Sequence, residues 1–231
     1  MTYLVLDLET GSKEVHKRKG NPWYNPIIAA GLKNAMICKG IIASDINLIM
    51  GLVPNSVRVI VGHNLKFDLL HLWKSERLQY IFDERQFKIW DTQLAEYILT
   101  GQQHKYAALR DIAVNKYGCK EREKLMEKYW EQGKDTSEIP QELVLEDVLN
   151  DVRDTEQVYL QQIVKAKELG MYNLIQLQMD ALLATTEMEY NGFYINQQLL
   201  RQNRDRIATE LRQAQEELQQ LVAPYVGGGI V

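Results

Sequence analysis

Whatever chemistry this chain performs must come from three groups of acidic residues. Asp7 and Glu9 stand one residue apart in Tyr3-Leu4-Val5-Leu6-Asp7-Leu8-Glu9-Thr10. Side chains alternate along a strand, so both carboxylates leave the same sheet face. Two acids that close repel, and the pair needs a raised pKa, a basic partner or a metal. Taken alone, it also describes a strand end entering solvent.

The second group is Gly62-His63-Asn64-Leu65-Lys66-Phe67-Asp68, directly after the apolar run Val57 to Val61. The glycine permits a tight exit from a strand. Asn64 is placed to cap a helix or to meet a ligand, and Asp68 lies one turn further along the same face. The third group is Asp147, Asp151 and Asp154, at i, i+4 and i+7 of a long helical pattern. Such a stripe of like charge destabilises a helix unless something binds it. A capped turn and a solvated helix face explain the last two groups singly, but not all three together.

The elements that must position these acids are legible as periodicities. Tyr3 to Leu8, Pro26 to Ala30 and Val57 to Val61 read as strands, with a short apolar step at Ile89 and Trp90. Phe67 to Trp73 and Asp91 to Leu99 read as helices after them, the alternation of an α/β fold. Beyond residue 91 the pattern is helical: Ala107 to Tyr117 stopping at Gly118, Glu142 to Leu169 stopping at Gly170, and Tyr172 to Tyr190 stopping at Asn191-Gly192. Between them, Lys120 to Glu138 is highly charged and reads as a solvated loop or partly helical insertion. Asn196 is placed to cap a last helix, Gln197 to Val222, whose Leu200, Ile207, Leu211, Ala214, Leu218 and Leu221 form one apolar stripe.

Composition narrows the class without choosing a function. The 231 residues, 45% hydrophobic and 25% charged with five prolines, are those of an ordinary globular chain. Cys38 and Cys119 are far apart, which excludes a Cys-x-x-Cys zinc or redox motif and predicts free thiols in a reducing compartment. No basic leader and no apolar run of membrane-spanning length is present, so no membrane association and a cytoplasmic location are expected. The net charge of −4 lacks the usual basic footprint of nucleic-acid binding. That objection weakens where divalent cations bring positive charge to a carboxylate site.

The motifs Asp7-Leu8-Glu9-Thr10, Asn64-x-x-x-Asp68 and the aspartates of the long helix, in this order, resemble the DEDD superfamily of 3′-to-5′ exonucleases. In particular they resemble the editing domain of family A DNA polymerases, over about residues 3 to 165. Trp90-Asp91-Thr92 and Leu109-Arg110-Asp111-Ile112-Ala113 add lesser matches. The resemblance implies a ribonuclease H-like mixed sheet flanked by helices, with two divalent cations, Mg2+ or Mn2+, held by Asp7, Glu9, Asp68 and Asp151. Asp154 is the alternative register. Asp151 is preferred because Thr155 follows it by four residues, as a threonine follows the family's terminal acid. Either register departs from the family: where a tyrosine is expected four residues before the terminal acid, at the position that orients the attacking water, the Asp151 register has Asp147 and the Asp154 register has Asn150.

Thr10 and Asn64 correspond to residues that meet the terminal nucleotide, with Phe67 and Tyr106 as further aromatic candidates. The basic loop Lys13 to Lys19 is a candidate for strand phosphates. Glu187 to Asn196 resembles the segment that opens a family A polymerase domain, so the expected organisation is an exonuclease domain at 1–168 and a helical polymerase-like segment at 169–231. The glycine-rich tail Val226 to Val231 reads as a connector. The function expected is removal of nucleoside monophosphates from single-stranded 3′ ends of DNA, editing for a polymerase in the same or a separate chain. The alternatives are an exoribonuclease of the same superfamily and a catalytically weak DNA-holding module.

Overall fold

The computed structural model describes residues 2–11, 22–76, 78, 80, 87–103, 106–123 and 125–225. The expected basic loop Lys13 to Lys19 and the tail Val226 to Val231 lie outside the described residues. Five strands, β1 (Tyr3–Thr10), β2 (Ile27–Lys33), β3 (Cys38–Ile42), β4 (Val59–Gly62) and β5 (Lys88–Asp91), form one mixed sheet in the order β3-β2-β1-β4-β5. The first three pair antiparallel, and β4 and β5 extend the sheet in parallel from β1. Leu4, Val5 and Leu6 on β1 and Ile60 and Val61 on β4 are all buried. Strands covered on both faces read as unbroken apolar runs, which is why these two are visible in the sequence.

Two elements are not visible there. Strand β3 is a partly exposed edge with no clean alternation, and it exists because Ala29 to Lys33 of β2 pair with it residue by residue. Helix α1 (Ile46–Gly51) is a short turn capped by the Asp45 carboxylate, which accepts from Asn47 N–H. Strand β2 also runs past the expected Ala30 to Lys33, because its ladder with β1 continues to Val5.

Helices α2 (Leu65–Leu72), α3 (Thr92–Leu99) and α4 (Leu109–Tyr117) follow, and Gly118 ends α4 in the left-handed conformation at φ 71°. The charged stretch after it is partly helical, with α5 (Glu127–Glu131) and a 3-10 turn at Thr136–Glu138. Helix α6 (Gln141–Glu168) then spans 28 residues across the sheet. It comes very close. A Cβ on Gly31 would sit 2.8 Å from Val152 Cγ1 and 2.9 Å from Val148 O, and one on Gly40 would sit 3.1 Å from Leu145 Cδ2. Glycines on adjacent strands therefore form the bed on which α6 lies.

The far end of α6 is held by polar contacts that are buried and mutually satisfied. Trp90 Nε1 donates to Gln162 Oε1 at 3.1 Å, and Gln162 Nε2 donates to Thr92 O at 3.0 Å and Glu96 Oε2 at 3.1 Å. Glu96 also accepts from Lys116 Nζ at 2.9 Å and from the Tyr117 hydroxyl. This network ties α6 to β5, α3 and α4, so the helix cannot slide along the sheet without breaking several bonds in a low-dielectric interior.

The chain divides into two compact units, Met1–Tyr190 and Asn191–Val231, whereas the sequence reading divides it at 168/169. Helix α7 (Tyr172–Asn191) buries Ile175 and Met179 in the main core. Helix α8 (Gln197–Val222), in the second unit, is capped by the Asn196 side chain, which accepts from Leu199 N–H at 3.0 Å. Its stripe residues Leu200, Ile207, Leu211, Leu218 and Leu221 are exposed. No helix among the described residues is long and apolar enough to cross a membrane. Cys38 and Cys119 are both free thiols.

Candidate active site

Asp7 and Glu9 leave β1 on the face that carries α6, since Asp7 pairs with Gly31 and Gly31 meets Val148 and Val152. Those two valines flank Asp151 on the next turns of the helix. The close seat on Gly31 is therefore what delivers Asp151 to the strand. Carboxylate oxygens of Asp7, Glu9 and Asp151 all lie within 4.8 Å of one another. The ladder shifts between Glu9 and Thr10, where Glu9 pairs with Ala29 and Thr10 with Ile27. Such an irregularity bends a strand end and re-aims its side chains.

Asp68 arrives from α2 and is almost fully buried, with 2% of its surface exposed. Its Oδ1 accepts from Leu8 N–H at 2.9 Å, and Leu8 is the residue between Asp7 and Glu9. The structure thus gathers Asp7, Glu9 and Asp151, and holds Asp68 on the backbone between the first two. Asp154 is elsewhere: its carboxylate forms an ion pair with Arg122. Of the two registers open to the sequence, the one ending in Asp151 is the one whose acid joins the cluster. Asp147, one turn earlier, is half-buried and lines the same cleft.

Burial and mutual repulsion raise the pKa values of these acids. Burial first, and Asp147 second, push Asp7 up to about 7. Burial, then Asp7, Asp147 and Asp154, push Asp151 up to about 8, with Arg122 opposing. Glu9 and Asp68 are held well above the ordinary carboxylate range by burial and then by Asp7. One Asp7 oxygen, Oδ2, is buried with no hydrogen-bond partner, and a buried polar atom left unpaired requires an explanation. A set of hard carboxylate oxygens suits a Mg2+- or Mn2+-like cation, and such an ion would supply both a partner for that oxygen and the opposing charge.

A residue that the sequence reading placed only in a lesser match anchors the second motif. Asn64 occupies the cap position of α2 at φ 57°, yet its side chain makes no capping bond; of the two roles the sequence left open, capping by the side chain is not the one it plays. The Asp91 carboxylate already fills that role. It accepts from Asn64 N–H at 3.2 Å and Leu65 N–H at 2.8 Å, and also from Gln93 N–H at 2.8 Å and Leu94 N–H at 3.1 Å. One buried carboxylate thus terminates two helices and fixes the start of the turn that carries Asp68. The signal was local: an aspartate directly before a helix, in Trp90-Asp91-Thr92. The Asn64 side chain is left exposed, and Thr10 is half-buried at the ladder shift.

Phe67 packs its ring on His71, with centroids 4.5 Å apart, and exposed Tyr106 lies 4.7 Å from Tyr97. His63 bridges Thr92 Oγ1 at 3.0 Å and Ala107 O at 3.1 Å. Burial lowers its pKa to about 4, so it is neutral at physiological pH and joins elements rather than moving protons. Beside the acids runs a cleft of about 380 Å3 whose lining includes Glu9, Asp147, Asp151, Arg110, Arg122 and Trp130.

No protein-family model and no curated protein sequence matches this chain. Solved structures do. Brucella melitensis NrnC with bound Mg2+ matches with a TM-score of 0.59 at 15% identity, covering 82% of this chain and 86% of NrnC. The fold is the ribonuclease H-like mixed sheet flanked by helices that the sequence leads one to expect. NrnC bound to pGG matches with a TM-score of 0.60 at 16% identity, over 82% and 85% of the two chains. A structure described as the apo form of a nuclease matches with a TM-score of 0.58 at 14% identity, over the same shares. None of these three is a polymerase, so the polymerase setting implied by the motifs gains no support from them.

Proposed function

We propose that this chain is a divalent-metal-dependent 3′-to-5′ exonuclease that releases nucleoside monophosphates from single-stranded ends, with short RNA strands as its substrate. The observation that carries the reading is the convergence of Asp7, Glu9 and Asp151 from a strand and a distant helix, with Asp68 of a third element bonded to the Leu8 N–H between the first two. In this reading the four acids hold two divalent cations, Mg2+ or Mn2+. When bound, such ions stabilise the attacking water and the leaving 3′ oxygen of an in-line displacement at phosphorus.

The chain's own residues do the rest. Asp68, tied to Leu8 N–H, and Asp151, on the helix whose Val148 and Val152 seat over Gly31, keep the acids aligned against their mutual repulsion. Asp147 stands where the family places the water-orienting group and accepts a hydrogen bond from the attacking water. Thr10 and the exposed Asn64 side chain contact the terminal nucleotide. The substrate class is supported by NrnC, solved with pGG, a pair of guanosine nucleotides.

A second reading, editing of DNA for a polymerase, is favoured by the apolar stripe of α8, exposed along its whole length, and by the polymerase-like segment before it. Single-stranded RNA and DNA of equal length, labelled at the 5′ end and incubated with Mg2+ or Mn2+, separate the two. Faster stepwise shortening of RNA supports the first reading and faster shortening of DNA the second. Undiminished digestion by Asp7→Ala refutes both. A metal titration showing no divalent ion bound by the wild-type chain identifies a degenerate, DNA-holding module instead.

A further inference from the structure

The cleft beside the acidic cluster has two unlike walls. The acids of β1 and α6 line one side. The other is built from α4, the link after it and α5, and it carries Arg110, Lys120, Arg122 and Trp130. A volume of about 380 Å3 falls at the small end of ligand sites, which suits one nucleotide of a single strand and not a duplex.

The groups on that wall are not equally committed. Arg110 Nη2 donates to Glu121 at 2.9 Å, and Arg122 uses Nη1 on Asp154. A guanidinium has five N–H donors, so Arg122 keeps others for an incoming anion. Lys120 is exposed and has no partner among the described residues. Glu123 and Glu127 on the same wall offset part of the positive charge, which leaves the Lys120 ammonium, among the described residues, as a cation with no carboxylate bonded to it. Trp130 is partly exposed, at 38%, and its Nε1 donates to Thr136 Oγ1 at 3.3 Å, which fixes the plane of the indole. An aromatic plane beside unspent cations, along a groove, is the arrangement that binds single-stranded nucleic acid by stacking and phosphate contact.

We propose that this wall is the subsite for the penultimate nucleotide, with Trp130 stacking its base and Lys120 and Arg122 holding the phosphate on its 5′ side. The assignment rests on the exonuclease reading for its orientation. It also explains how a chain of net charge −4 retains a polyanion: repulsion from the acids is met across a narrow cleft by cations placed for the next phosphate.

The test is fluorescence anisotropy of a 5′-fluorescein single-stranded oligoribonucleotide with Ca2+ replacing Mg2+, alongside KM and kcat in Mg2+, each as a function of salt. Lys120→Ala is expected to lower the slope of log affinity against log salt by about 0.7, the value for one phosphate contact to a single strand. Trp130→Ala is expected to weaken binding about tenfold, the scale of one base stack, while Trp130→Phe retains most of it. Arg122→Ala should raise KM, and Asp154→Asn, which releases Arg122, should not. A role confined to holding the fold would make Arg122→Ala and Asp154→Asn equally damaging.

Unchanged affinity and salt slope in Lys120→Ala and Trp130→Ala, with both variants melting like wild type, would overturn the subsite even if the wild-type chain digests RNA. If instead the wild-type chain digests nothing while these variants still lose affinity, the subsite stands and the exonuclease reading falls.

Discussion

Neutralising Asp151 should stabilise the metal-free protein at high pH, because the acids are held together against their own charge. A carboxyl group held at about 8 in the fold instead of its ordinary 3.8 costs up to about 6 kcal/mol once ionised, at about 1.36 kcal/mol per pH unit. Asp7 shares the same repulsion, and solvent reaches part of the site, so about 2 kcal/mol is the expected recoverable part. The sign follows from linkage. A folded-state pKa above the unfolded value means that the native state binds more protons between the two, so stability falls as pH rises from about 4 to about 8. Asp151→Asn should therefore melt about 4 to 8 °C above wild type at pH 8 in EDTA, taking about 2 to 4 °C per kcal/mol for a chain of this size. Near pH 4 the two should melt together. Equal melting at pH 8, or a lower value for the variant, would refute the claim that unpaired charge is stored in this cluster.

Mg2+ or Mn2+ should reverse that strain: at a hundred times its Kd a bound ion adds about 2.7 kcal/mol, seen as a calorimetric rise in Tm for wild type and none for Asp7→Ala. Because Asp7 and Asp151 must lose protons to bind the ion, the affinity measured by titration should increase as pH rises through about 7 to 8. Gly31→Ala should cost about 1 to 3 kcal/mol by overpacking against Val148 and Val152, and should lower kcat more than the stability loss explains by lifting Asp151 from β1. Asp91→Ala strips four N–H groups of their acceptor and should cost about 3 kcal/mol in denaturant unfolding. Asp91→Asn should lose less.

Strands β1 and β4 were legible because burial on both faces writes itself as an apolar run. The long helices were legible because 3.6-residue periodicity and their glycine stops are local. The acids stood out for the same reason: Asp7 and Glu9 share a face by strand alternation, and Asp147, Asp151 and Asp154 share one by helix geometry. Edge strand β3 was not legible, since its conformation is imposed by β2 rather than by its own residues. The sequence left Asn64 open as a cap or a ligand contact; that the N–H groups at the start of α2 bond to Asp91 was not legible, because Asp91 lies 27 residues away and reaches them only once β4 and β5 pair.

The sequence by itself determined which acids this protein owns and in what local rows they stand, since those are matters of spacing along one strand or one helix turn. Only the tertiary structure decided that Asp151 and not Asp154 joins Asp7 and Glu9, that Asp154 turns to Arg122, and that a cationic wall faces the cluster. The physical reason is that each of these depends on how closely α6 can approach the sheet. That distance is fixed by Gly31 and Gly40, two missing side chains whose effect appears only when a helix more than a hundred residues later packs against them.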